Sequence, residues 1–237
     1  MRPGAIRAIL FDKDGTLTDF RRTWQGAIPK ALADLSDASG VPVGALAQAL
    51  GFDLLRGRFL GTSLFVTGTD GQMTAAFARL TGWPQARVRS HWAQALSGVE
   101  QIPAAPLAPL LAGLRARGLK LGVLTNAQSA EAHASLTKMG AMPHLDRVIG
   151  CDSGFAPKPD PAGAAAFADD LGLARAEVVM VGDGMTDLLA ARNAGLRAVA
   201  VTTGTLDAAA LRPHAEVVLT SVAALPDWLS QQELVAT

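Results

Sequence analysis

At 237 residues, 49% of them apolar, the chain can bury one large core or two smaller ones. Its 21 basic and 21 acidic residues cancel, which argues against nucleic acid as the main partner. The single cysteine, Cys151, excludes an internal disulfide; with no leader at the N-terminus and no apolar run long enough to span a membrane, a cytoplasmic protein is expected.

The chain opens on an apolar run, Ile6, Ala8, Ile9, Leu10 and Phe11, that predicts a buried strand ended by Gly15-Thr16. Asp12 and Asp14 stand where that strand gives out. Residues two apart on an extended backbone point the same way, so both carboxylates are expected in one small volume, with Lys13 pointing elsewhere. Taken alone, they also fit two solvated turn aspartates.

From Phe20 to Ala95 the spacing turns helical. Helices are predicted over Thr23–Leu35, Val43–Leu50 and Thr74–Leu80, separated by Gly40, Gly51, Gly68, Gly71 and Gly82-Trp83-Pro84. Eight of the twelve Phe and Trp residues fall here, which suggests a separate core. Eight basic residues against four acidic ones make the segment mildly basic, a composition suited to an anionic substrate as well as to ordinary solvated arginines.

From Pro103 helices and strands alternate. Helix Leu107–Arg117 is followed by strand Leu119–Thr125, helix Ser129–Met139 and strand Arg147–Gly150. Helix Asp160–Leu171, strand Val178–Gly182, helix Asp187–Ala194 and strand Ala198–Val201 come next. Val217–Leu219 is a candidate edge strand before a last helix, Val222–Leu229. Such alternation predicts a doubly wound parallel sheet, an α/β fold of Rossmann-like type, with the first strand in the sheet and residues 20–95 inserted.

Several strands end in polar groups, as ligand sites in such sheets do. Thr125-Asn126 follows one strand, and the Thr suits either a helix cap or an anion donor. Lys158 lies in the stiff loop Ala156–Pro161, where a solvated lysine is the plain alternative. Asp183 follows Val178–Gly182, with Asp187 four residues on; Asp183 also suits a helix cap. One functional reading covers them all: Asp12, Asp183 and Asp187 as hard oxygen ligands for Mg²⁺, with Thr125 and Lys158 receiving a phosphoryl group.

In this order FDKDGTLTD, VLTN, KPDP and VGDGMTD resemble the four motifs of the haloacid dehalogenase-like superfamily, and within it the phosphoglycolate phosphatase-like group. The resemblance implies a catalytic core over residues 1–19 and 96–237 and a helical cap domain over 20–95. It implies Asp12 as nucleophile, Asp14 as general acid/base, Thr125 and Asn126 as phosphate-binding positions, and Lys158 as the neutralising charge. Asp183 would bind Mg²⁺, Asp187 would support the metal or Lys158, and the Asp14 carbonyl would complete the metal shell. Phe20, Lys13 and Gly184 depart from the usual pattern. The expected activity is Mg²⁺-dependent hydrolysis of a small-molecule phosphate monoester, 2-phosphoglycolate being one candidate. A phosphomutase of the same fold and a catalytically silent phosphate-binding module are the alternatives. Gly15 and Ser97-Gly98 are candidate hinges, Arg21, Arg56, Arg58 and His91 candidate specificity residues, and the protein is expected as a monomer or homodimer.

Overall fold

The computed structural model describes residues 5–236, so the ends of the expected core, 1–4 and 237, lie outside it. β1 (Ala8–Phe11) is followed by α1 (Phe20–Trp24), α2 (Ala27–Ser39), α3 (Val43–Leu50) and a short hairpin of β2 (Phe52–Asp53) and β3 (Arg58–Phe59). α4 (Leu64–Thr67), α5 (Asp70–Thr81), α6 (Gln85–Leu96) and α7 (Leu107–Ala116) come next. The remaining elements are β4 (Lys120–Leu124), α8 (Ser129–Lys138), β5 (Arg147–Ile149), α9 (Ala162–Asp170), β6 (Val178–Gly182), α10 (Met185–Ala194), β7 (Arg197–Val201), α11 (Ala208–Leu211), β8 (Val217–Leu219) and α12 (Leu225–Ala236).

Six strands form one parallel sheet in the order β5-β4-β1-β6-β7-β8. The expected doubly wound fold is therefore present, including the edge strand β8. Alternation along each strand splits the core between the two faces. Ile9, Phe11, Leu121, Val123, Val179 and Val181 pack on one side with Ala132 and Leu136 of α8. Ala8, Leu10, Val178 and Met180 pack on the other with Phe167 of α9 and Leu188 of α10. β1 sits in the middle, between β4 on one side and β6 on the other. The chain turns from one half of the sheet to the other beside it, and the crevice at such a switch point is where ligands enter an open α/β sheet.

The chain divides into two compact units, residues up to Asp19 with Pro103 onward, and Phe20–Ile102. The second crossing falls at 102/103 rather than at 95/96. α6 continues through Leu96, and the N–H of Ile102 donates to Thr23 Oγ1 at 3.0 Å, tying the segment back to the helical unit. That unit has its own core, in which Phe20, Phe52, Phe59, Phe77 and Trp92 are buried. Phe20 meets Phe59 edge to face with ring centroids 5.0 Å apart.

Some elements differ from expectation. α5 starts at Asp70 rather than Thr74, because Thr69 and Gln72 form a capping box. α6 is additional; it buries only Val88 and Trp92, too sparse an apolar stripe to read. α9 begins two residues later than predicted, since Asp160 Oδ1 accepts from the N–H of Ala162. Val222–Ala224 form a 3₁₀ turn, and the last helix runs from Leu225 to Ala236.

Candidate active site

Strand β1 delivers Asp12 to the carboxyl edge of the sheet, where its N–H donates to Val181 O at 2.8 Å. Phe11 pairs with Val181 of β6, so the residues following the two strands, Asp12 and Asp183, come out side by side. Asp187 rises from the first turn of α10, its Oδ2 accepting from Gly184 N at 2.9 Å. One carboxylate oxygen from each of Asp12, Asp183 and Asp187 lies within 4.8 Å of the others, and all three residues are buried.

Lys158 comes from the loop before α9 and is buried. Its Nζ donates to Asp12 Oδ1 at 2.5 Å and to Asp187 Oδ1 at 2.6 Å. Asn126 clamps the loop: its Nδ2 donates to Lys158 O at 3.0 Å, and its Oδ1 accepts from Lys158 N at 2.9 Å. The Asn126 amide thus acts on Lys158, a task its expected phosphate-binding position did not foresee. Thr125 is buried at the end of β4, its Oγ1 accepting from Ala127 N at 3.1 Å. That bond is a local turn contact and not the expected helix cap, since α8 begins at Ser129 after Gln128, and it leaves the hydroxyl hydrogen available to donate to an anion.

Asp14 is placed by a turn and not by strand alternation, and its charge still reaches Asp12. The strand ends at Phe11 and residues 13–18 turn, with Leu17 N donating to Lys13 O at 2.9 Å, so alternation no longer applies. The Asp14 carboxylate lies 2.7 Å from Lys13 Nζ and stands outside the trio of buried aspartates.

Asp183 does not cap α10. Its Oδ1 accepts from Thr16 Oγ1 at 3.1 Å, and two glycines press on it. A Cβ on Gly204, in the loop after β7, or on Gly15 would overlap the Asp183 carboxylate, and Gly15 also has φ +94°. Thr203 Oγ1 donates to Gly15 O at 2.6 Å, joining that loop to the first turn. The sequence marks Thr16 only as a turn residue and does not single out Thr203 or Gly204. Their only signals are the Gly-Thr turn and the Thr-Thr-Gly-Thr run after a strand.

Three carboxylates and one ammonium leave an excess of negative charge out of water. Burial raises the Asp12 pKa, opposed by Lys158 and reinforced by Asp187, to about 6. Asp183 is also raised well above the carboxylate range, by burial and then by Asp12 and Asp187. Burial alone would lower the Lys158 pKa, but Asp12 and Asp187 outweigh it and raise it. Carboxylates that resist ionisation together invite a cation, and hard oxygens in a volume this small suit a divalent one. The glycines at 15 and 204, which give Asp183 room, fit such a site.

The chain matches the family model of haloacid dehalogenase-like hydrolases over residues 6–195. The protein belongs to the haloacid dehalogenase-like hydrolases. It is 34% identical over 226 residues to a phosphoglycolate phosphatase of Rhodospirillum rubrum, covering 94% of this chain and 90% of that one. A phosphoglycolate phosphatase of Yersinia pseudotuberculosis is 31% identical over 84% of this chain and 82% of its own. The fold resembles the crystal structure of a predicted phosphoglycolate phosphatase from Haemophilus somnus with TM-score 0.74 at 18% identity, covering 94% of this chain and 97% of that one. Among the described residues no helix is long and apolar enough to cross a membrane.

Proposed function

We propose that this haloacid dehalogenase-like hydrolase is a Mg²⁺-dependent phosphatase that cleaves a small-molecule phosphate monoester through an aspartyl-phosphate on Asp12. What carries this reading is the convergence of Asp12, Asp183 and Asp187 within 4.8 Å, with Lys158 bonded to two of them. The relatives named phosphoglycolate phosphatase support 2-phosphoglycolate as the first substrate to try.

A carboxylate attacking a phosphate ester must overcome like-charge repulsion, which is strong away from water. Asp12 and Asp183, with the Asp14 carbonyl, would hold the Mg²⁺, and Asp187 serves chiefly by holding Lys158. When bound, the cation neutralises charge on the phosphate oxygens and draws the Asp12 pKa down. The Lys158 ammonium has three N–H donors; two are on Asp12 and Asp187, and the third is available to the transferring group. Thr125 donates its hydroxyl to another phosphate oxygen. Asp12 attacks phosphorus, the bond to the alkyl oxygen breaks, and Asp14 gives that oxygen its proton. Asp14 then takes a proton from the water that attacks the acyl-phosphate, releasing inorganic phosphate and restoring Asp12. We assign the inserted helical segment the role of a cap that selects the leaving group. The balanced charge and single cysteine support cytoplasmic work on a small metabolite, without nucleic acid or membrane.

A panel of 2-phosphoglycolate, sugar phosphates, nucleotides and p-nitrophenyl phosphate, assayed for phosphate release in Mg²⁺ and in EDTA, tests this. Hydrolysis in Mg²⁺ that stops in EDTA is expected. Inactivity on every ester in Mg²⁺ would overturn the proposal.

A further inference from the structure

Lys13 has no task in the mechanism above, yet its side chain is completely buried. It follows closely on the end of β1 and reaches α8, the helix whose Ala132 and Leu136 share a core with Ile9 and Phe11. An apolar side chain would be the inexpensive choice there, since burying an ammonium is costly unless it is paired. Lys13 Nζ lies 2.7 Å from Asp14 Oδ2 and 3.0 Å from Glu131 Oε1, on the first turn of α8. Its own backbone is held as well: Lys13 O accepts from Leu17 N at 2.9 Å and from Thr18 N at 3.1 Å. The turn and α8 therefore both hold Lys13, and the Lys13 ammonium in turn holds the Asp14 carboxylate.

Only the ammonium is fully buried, and removing it from water offsets much of what its partly exposed carboxylate partners return, so the arrangement is better explained by what it orients. We propose that Lys13 is a positioning residue for Asp14, anchored to α8 through Glu131, and that it directs the carboxyl that serves the leaving group. This rests on the acid/base role of Asp14 in the phosphatase reading.

The test separates proton delivery from the rest of the reaction. An alkoxide needs a proton as it leaves, whereas p-nitrophenolate does not. Because kcat/KM reports steps only up to departure of the leaving group, the two ester types isolate that proton. Lys13→Met and Glu131→Gln would be compared with wild type on p-nitrophenyl phosphate and on the alkyl phosphate turned over fastest in the panel above. Lys13→Met should lose roughly 10–10²-fold in kcat/KM on the alkyl ester and less than about 3-fold on the aryl ester. Glu131→Gln should lose less, with the same split. Equal losses on both esters, or no loss on the alkyl ester, would overturn the proposal while leaving the phosphatase reading intact. Should Lys13→Met fail to fold, Glu131→Gln, whose side chain is half exposed, decides alone. A wild type inactive on all esters would instead sink the phosphatase reading, and this inference with it.

Discussion

Replacing Asp12 by asparagine should stabilise the metal-free protein at neutral pH while removing its activity. Asn keeps the shape of Asp and carries no charge, and Lys158 retains Asp187 as a partner. Raising the Asp12 pKa from 3.8 to about 6 places a penalty of about 3 kcal/mol on its ionised form in the folded state. Below pH 3.8 Asp12 is neutral in both folded and unfolded chains, so the variant and wild type should be equally stable there. The penalty builds as pH rises from about 4 to about 6 and is complete above that, because the folded state must give up a proton the unfolded chain has already lost. Urea unfolding in EDTA at pH 4.0 and pH 7.5, read by tryptophan fluorescence, would measure it (both values chosen to bracket that roughly two-unit window). A midpoint about 1 M higher for Asp12→Asn at the upper pH is expected, with the two curves converging at the lower. Mg²⁺ should close the gap: at 100 times its Kd a ligand adds about 3 kcal/mol to wild type, and the variant should gain little. An Asn variant less stable than wild type at pH 7.5 in EDTA would refute this, because the Lys158 pairing would then outweigh the cost of burying the charge.

Asp14→Asn should lower kcat on an alkyl ester roughly 10²–10⁴-fold, the scale of general acid/base assistance, with an unchanged circular dichroism spectrum. Gly204→Ala should weaken divalent-cation binding by at least about tenfold in titration calorimetry, since the new methyl group displaces the Asp183 carboxylate. Unaltered affinity would show that the loop after β7 does not shape the site. Asn126→Ala should cost about 1–3 kcal/mol in urea unfolding and raise amide exchange around Lys158, because two hydrogen bonds that hold the loop are lost.

Much of this architecture could be read from short windows. Continuous apolar runs marked β1, β4 and β6, and the polar residues that end them placed Asp12, Thr125 and Asp183 at one edge of a parallel sheet. Strand periodicity and turn chemistry are local properties, so they survive in the linear order of residues. The α6 helix and the β2–β3 hairpin were not legible, the first because its apolar stripe is sparse and the second because its strands are two residues long.

The detail of the site belongs to the tertiary structure. Alternation was the expected reason for Asp14 to share a volume with Asp12, but the turn at 13–18 sets its carboxylate, held against Lys13 with its charge still acting on Asp12. Asn126 clamps a backbone 32 residues away, and Gly204 matters only because Asp183 lies against it. Such contacts depend on which strands adjoin and how closely their loops approach. The residues alone name the groups able to hold a cation and a phosphate; packing decides which of them meet and which hold others in place.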